Sequence, residues 1–346
     1  MGIYDREYVR MGPHSRSGLG SVQFISFNSW LIIANVAVFV IGAFLSGMAR
    51  PVMTGQSIHP DAVHRALVVD RFPSPLPPAG GGFVVGVFDR ETGQPVGTRR
   101  FSMMTPLDEF GHFSTARGFF AMQVWRLITF QFLHSGIWHL VFNMLGLWIF
   151  GGMVEQYLGR KRYAAFYLTC GIAGGVSYLF LNLLGAGLGL QLPGVLVNDP
   201  WTPLVGASAG VFGVIMACAF IAPNAVVLVY FIPMKLKFMA YGYVALAAYN
   251  LLSGGNNAGG DAAHIGGAIA GFFFIRNAHL LRDFFDVLGD SRKPGRARQR
   301  SPRSPVNHAE VDRILSKVHE EGLRSLSERE KAVLREASSR GRGSSS

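Results

Sequence analysis

Gly206-Ala207-Ser208-Ala209-Gly210-Val211-Phe212-Gly213 opens an uncharged stretch, 204–222, apolar enough to lie within a bilayer. Ala263-His264-Ile265 stands near the start of another, 262–280, with His264 placed 56 residues after Ser208. A serine and a histidine are the minimal kit for nucleophilic hydrolysis. Carried on two such segments, they point to hydrolysis of something that is itself in the membrane.

Composition agrees with that setting. Only 15% of the 346 residues are charged and 49% are hydrophobic, against about 25% charged in an average soluble domain. Mean hydropathy is +0.29. Many of the 43 glycines lie inside apolar runs, where small residues let helices approach closely. The net charge of +11 does not indicate nucleic acid, because 16 of the 32 Lys and Arg follow residue 275. Basicity concentrated in a tail beside a membrane segment reflects orientation and anionic lipid. Cys170 and Cys218 both fall in apolar segments and read as packing residues, with no support for a disulfide framework or a metal site.

The first apolar run, 30–48, has no charge and is long enough to span. It is too long for a signal-peptide core and is expected to remain as a first transmembrane helix. Further apolar stretches at 136–154, 163–184, 204–222, 238–253 and 262–280 make six crossings. Arg160-Lys161-Arg162, Lys235 and Lys237 mark two connections as basic, whereas 185–203 and 254–260 hold no Lys or Arg. The positive-inside rule then places both termini in the cytoplasm and the long polar connection 49–124 outside. Within that connection, 82–88 and 95–101 alternate like strands around Asp89-Arg90-Glu91-Thr92-Gly93, predicting a hairpin.

The expected organisation is a cytoplasmic segment 1–28, a membrane domain 29–280, a basic linker 281–307 and a small helical tail 308–346. In the tail, Val311, Ile314, Leu315 and Val318 recur at helical spacing. Gly322 can end that helix, and Ser327 with Glu330 forms a capping box opening a second. A protein or a lipid partner stays open for this tail.

Gly206-x-Ser208-x-Gly210 also matches the nucleophile elbow of α/β hydrolases, but no βα alternation surrounds it, so the elbow is rejected. His139 and Asn143, four apart, share one helical face. Both can donate hydrogen bonds, and donors converging on one point are what an oxyanion needs. Gly267-x-x-x-Gly271 lies on the His264 face of the last segment, and Gly206, Gly210 and Gly213 thin the serine segment. Two thin helices can bring Ser208 and His264 within hydrogen-bond reach, with Phe212 one turn on, able to pack beneath the imidazole.

Taken together, Trp125-Arg126, His139-x-x-x-Asn143, Gly151-Gly152-x-x-Glu155, Gly206-x-Ser208 and Ala263-His264-Ile265-x-Gly267-x-x-x-Gly271 resemble the rhomboid intramembrane serine proteases, in order, over about 30–280. The resemblance implies an all-α polytopic membrane protein, a six-transmembrane-helix bundle with a small helical cytoplasmic tail, in a bacterial-type inner membrane. It implies a Ser208–His264 dyad cleaving transmembrane segments of membrane proteins without metal or cofactor. His139, Asn143 and the Ser208 backbone N–H would hold the oxyanion. Trp125 and Arg126 would be structural, with Arg126 anchoring the external loop. Glu155 would tie down the cytoplasmic end of the second helix. The family does not use a triad, so Asp261, one turn before His264, receives no role from it. The chain departs from the family at Ala209, where glycine is usual. The alternatives are a non-catalytic relative that escorts membrane helices, which usually lacks the serine or the histidine, and a transporter relay, which would not carry this paired signature.

Overall fold

The computed structural model describes residues 25–187, 199–229, 231–254, 257–281, 308–322 and 325–341. The chain divides into two compact units, Met1–Gly289 and Asp290–Ser346. The first is mostly helical. After α1 (Phe27–Phe44) and the short α2 (Pro106–Gly111) and α3 (Arg126–Thr129), α4 (Ile137–Gly146) continues through a π-helical turn into α5 (Gly152–Leu158). Then come α6 (Arg160–Asn182), α7 (Ser208–Ile221), α8 (Leu236–Ser253) and α9 (Ala258–Arg276).

Three helical stretches among the described residues are long and apolar enough to cross a membrane: Phe27–Met48, Ile137–Leu158 and Arg160–Ala186. The apolar α7 has only 14 residues. It is buried nearly all round, as a helix without a polar face must be when neighbours enclose it. α9 packs mainly on α6 and α7. The core beside them is built from Leu147, Val154, Tyr163, Phe166, Tyr167, Val214 and Cys218.

The all-α expectation needs correction in the 49–124 connection. The hairpin foreseen there exists as β3 (Gly82–Asp89) and β4 (Pro95–Met104), but it is half of a larger sheet. β1 (Arg50–Ile58) and β2 (Leu67–Val69) join it in the antiparallel order β1-β4-β3-β2. Phe72, Phe83 and Phe101 cluster on it with ring centroids 4.9–5.6 Å apart. A bulge between Met53 and Gly55 breaks the β1 register. Just past it, the Gln56 N–H donates to Asp199 Oδ2 at 2.9 Å, clasping β1 to the segment that leads into α7. A second small hairpin, β5 (Val226–Val229) with β6 (Ile232–Lys235), links α7 to α8.

In the second unit, α10 (His308–Glu321) ends at Gly322, whose φ of +82° suits a residue without Cβ. α11 (Glu328–Gly341) opens on the Ser327–Glu330 capping box, in which the Ser327 N–H donates to Glu330 at 2.9 Å and the Glu330 N–H to Ser327 at 3.3 Å. Ile314 and Leu326 are buried in this unit. The basic linker and nearly all of segment 1–28 lie outside the described residues.

Candidate active site

Ser208 is the first residue of α7, delivered by a backbone that turns at Gly206 with φ +132°, a conformation side-chain-bearing residues rarely adopt. The approach is pinned by backbone bonds: Phe113 and Leu204 pair reciprocally, and the Gly206 N–H donates to Phe130 O at 2.9 Å. His264 occupies the second turn of α9. Its Nε2 lies 2.8 Å from Ser208 Oγ. The Phe212 ring stacks flat on the imidazole, centroids 4.3 Å apart and planes 4° from parallel. On the other side of the ring, Nδ1 stands 3.5 Å from Asp261 Oδ1.

The two helices meet because their contact is backbone against backbone. A Cβ on Gly267 would collide with the Ala209 carbonyl oxygen, and one on Gly271 with the Gly213 backbone. Ala209, where the chain leaves the family pattern, is fully packed. Its methyl points at Gly174 of α6, where an added Cβ would come within 2.5 Å of it. The extra methyl beside the serine is thus matched by a missing one on the facing helix.

His139 is brought to the same place. Its ring edge is what a Cβ on Gly206 would strike, 2.8 Å from Nε2, and the same point is 3.5 Å from Ser208 Oγ. His139 Nδ1 pairs with Ser135 Oγ at 3.0 Å, and the His134 ring meets it edge-on at 5.1 Å. Asn143 is buried beside it, but one amide N–H is committed to the His139 carbonyl at 2.8 Å. A single N–H remains for any other acceptor.

The supporting residues lie apart from this centre. Arg126 is 3% exposed and donates to the His112 carbonyl and to Gln123 Oε1, both at 2.6 Å. Burial, reinforced by Arg117, pulls its pKa down to about 10. Trp125 stacks on Phe110 at 5.8 Å and donates its Nε1 hydrogen to the Phe110 carbonyl. Glu155 does more than hold its own helix. Its two oxygens accept from the Phe27 N–H at 2.7 Å and the Asn28 N–H at 2.9 Å, capping α1 from a distant part of the chain. Asn28 in turn donates to Leu147 O at 2.9 Å and accepts from Tyr163 Oη at 2.7 Å.

Sequence reasoning missed Asn28, Tyr163, Ser135, Gly174 and Asp199. Of these only Ser135, one turn before His139, left a local signal. Among the described residues, no three His, Cys, Asp or Glu side chains gather as a metal site would require.

Over residues 121–279 the chain matches the Rhomboid domain family, and over 305–340 a family of unknown function, DUF6576. It is similar to RHOMBOID-like protein 12, mitochondrial, of Arabidopsis thaliana, 33% identical over 41% of this chain and 43% of that protein. It is likewise similar to Rhomboid protease GluP of Bacillus subtilis, 33% identical over 43% of this chain and 25% of that one. Rhomboid protease AarA of Providencia stuartii is 28% identical over 46% of this chain and 58% of its own. The chain thus spans less than half the length of the first two relatives. On the strength of these matches, it is a membrane protein that carries a rhomboid domain over residues 121–279.

Proposed function

We propose that this rhomboid protein is an intramembrane serine endopeptidase working through Ser208 and His264. The observation that carries the reading is the 2.8 Å contact between His264 Nε2 and Ser208 Oγ, braced by the flat stack on Phe212. Two relatives named as rhomboid proteases support it. As Ser208 Oγ attacks the scissile carbonyl, its proton passes to His264 Nε2 and then to the leaving amine. Water hydrolyses the acyl-enzyme by the same route in reverse.

The carbonyl oxygen, now negative, needs donors. Ser208 opens α7, so its N–H has no acceptor within the helix, and the positive end of the helix dipole lies there too. His139 serves if Ser135 donates to Nδ1, which leaves the hydrogen on Nε2, the nitrogen facing Gly206. Asn143 would supply its second N–H, the one not held by the His139 carbonyl.

In this reading α7, α8 and α9 complete six crossings with the three long helices, within a membrane domain 29–280. The linker 281–307 and tail 308–346 lie in the cytoplasm with the N-terminus, in a bacterial inner membrane. The charge pattern of the connections supports that orientation. Substrates are transmembrane segments of other proteins. They must unwind locally, because a continuous helix keeps its carbonyls in intrahelical bonds. Purified protein in detergent or liposomes, given a model transmembrane substrate, should lose cleavage on Ser208→Ala and, separately, on His264→Ala. Cleavage surviving either change would end the dyad assignment. Labelling of wild-type Ser208 by a fluorophosphonate separates an enzyme from a helix-binding escort.

A further inference from the structure

Asp261 is 4% exposed, in the first turn of α9, and its Oδ2 has no hydrogen-bond partner among the described residues. The other oxygen stands 3.5 Å from His264 Nδ1, on the side of the imidazole away from Ser208. Burying a carboxyl with so little compensation is costly, and burying it against the one imidazole in contact with the nucleophile gives that cost a purpose.

We propose that Asp261 is a positioning residue for His264, holding the imidazole of the dyad from its Nδ1 side. The inference rests on the proteolytic reading above. A carboxylate at Nδ1 favours the tautomer with hydrogen on Nδ1 and the lone pair on Nε2, the form able to take a proton from Ser208 Oγ. When Oγ bonds to the substrate carbon and its hydrogen moves to Nε2, the imidazolium then carries a proton on each nitrogen. The Nδ1 hydrogen faces Asp261, while the Nε2 hydrogen leaves with the amine. The 3.5 Å gap is longer than a formed hydrogen bond, and such contacts tighten as charge develops on the ring. Phe212 fixes the ring plane and Asp261 fixes which edge faces the serine.

The rival role for Asp261 is purely structural, an acid favourably placed at the N-terminal end of a helix. Asp261→Asn, Asp261→Ser and Asp261→Glu separate the two. The measurements are kcat and KM on a transmembrane substrate, the rate of fluorophosphonate labelling of Ser208, and thermal unfolding. The neutral variants should lose tenfold or more in kcat and labelling rate, with KM within about twofold and the unfolding midpoint nearly unchanged. Asp261→Glu should recover part of both rates. Wild-type kcat and labelling rate in the neutral variants would overturn the proposal, as would failure of both to fold, which assigns Asp261 to structure. Absence of labelling in the wild type, or cleavage by Ser208→Ala, would instead refute the proteolytic reading itself.

Discussion

Gly267→Ala tests whether helix proximity assembles the site. The added methyl falls on the Ala209 carbonyl oxygen, which belongs to the residue immediately after Ser208. Nonbonded heavy atoms settle at about 3.5 Å or beyond, so α7 and α9 must part by roughly 1 Å to accept it. Ser208 Oγ and His264 Nε2, now 2.8 Å apart, would open to about 3.8 Å, beyond hydrogen-bond range. Overpacking of this kind costs about 1–3 kcal/mol, and a 1 Å misplacement of a reacting group costs on the order of 100-fold in rate. The assay is the rate of fluorophosphonate labelling at Ser208, read beside thermal unfolding in the same detergent. Gly242→Ala on α8 is the control, since a Cβ there meets nothing within 4 Å, and it should label at the wild-type rate. Adding Gly271→Ala to Gly267→Ala should cost less than the sum of the two, because both act on one separation. A Gly267→Ala protein that unfolds and labels like wild type would refute the reasoning.

Two further outcomes follow from the supporting contacts. Burial holds the pKa of His112 down to about 4, against 6.5 unperturbed, with Arg126 and Arg117 adding to the effect. The unfolded chain therefore takes up this proton at higher pH than the native one. Stability from this source is complete above about pH 6.5 and drains away as pH falls toward 4, by at most roughly 3 kcal/mol. Denaturation midpoints between pH 7.5 and 4 should show it, and His112→Gln should flatten that part of the curve. Glu155→Ala should cost on the order of 1–2 kcal/mol, the usual value of a lost cap, read as a lower unfolding midpoint with dyad labelling retained.

What could be read from the sequence depended on how local its cause was. His139 and Asn143 were legible because helical spacing fixes which side chains share a face, and Ser208 and His264 because each stands in a glycine-thinned apolar run; the structure brings His139 to Gly206 and His264 to Ser208. The hairpin of β3 and β4 was legible from its alternation and its turn. β1 was not, since Pro51, Gly55 and a bulge blur its period, and it pairs with β4 some forty residues later. β2 is three residues long and gains its identity from β3 alone. The helical tail announced its Ser327–Glu330 cap, whereas the cap on α1 did not, because Glu155 arrives from 127 residues away. Ala209 read as a departure in isolation and as a fit once Gly174 was seen opposite it. The helices after residue 200 were legible as apolar runs, but their short lengths made crossing number a matter of charge and order rather than of length.

The shortness of α7 has a consequence for substrate choice. Fourteen residues of helix measure about 21 Å, while a bilayer's hydrocarbon core is about 30 Å thick. In the proposed orientation, with its inner end at the cytoplasmic boundary, α7 would start about 9 Å below the outer one, putting the irregular backbone ahead of Ser208 at hydrocarbon depth. Such backbone is tolerated only where protein satisfies it, as Phe113 and Phe130 do for Leu204 and Gly206. A substrate entering as a helix would have to present its scissile bond about six residues below the surface. Under the proposed proteolytic reading, the length of one buried helix would thus act as a depth gauge, and a thicker or thinner bilayer would move the cut along the substrate.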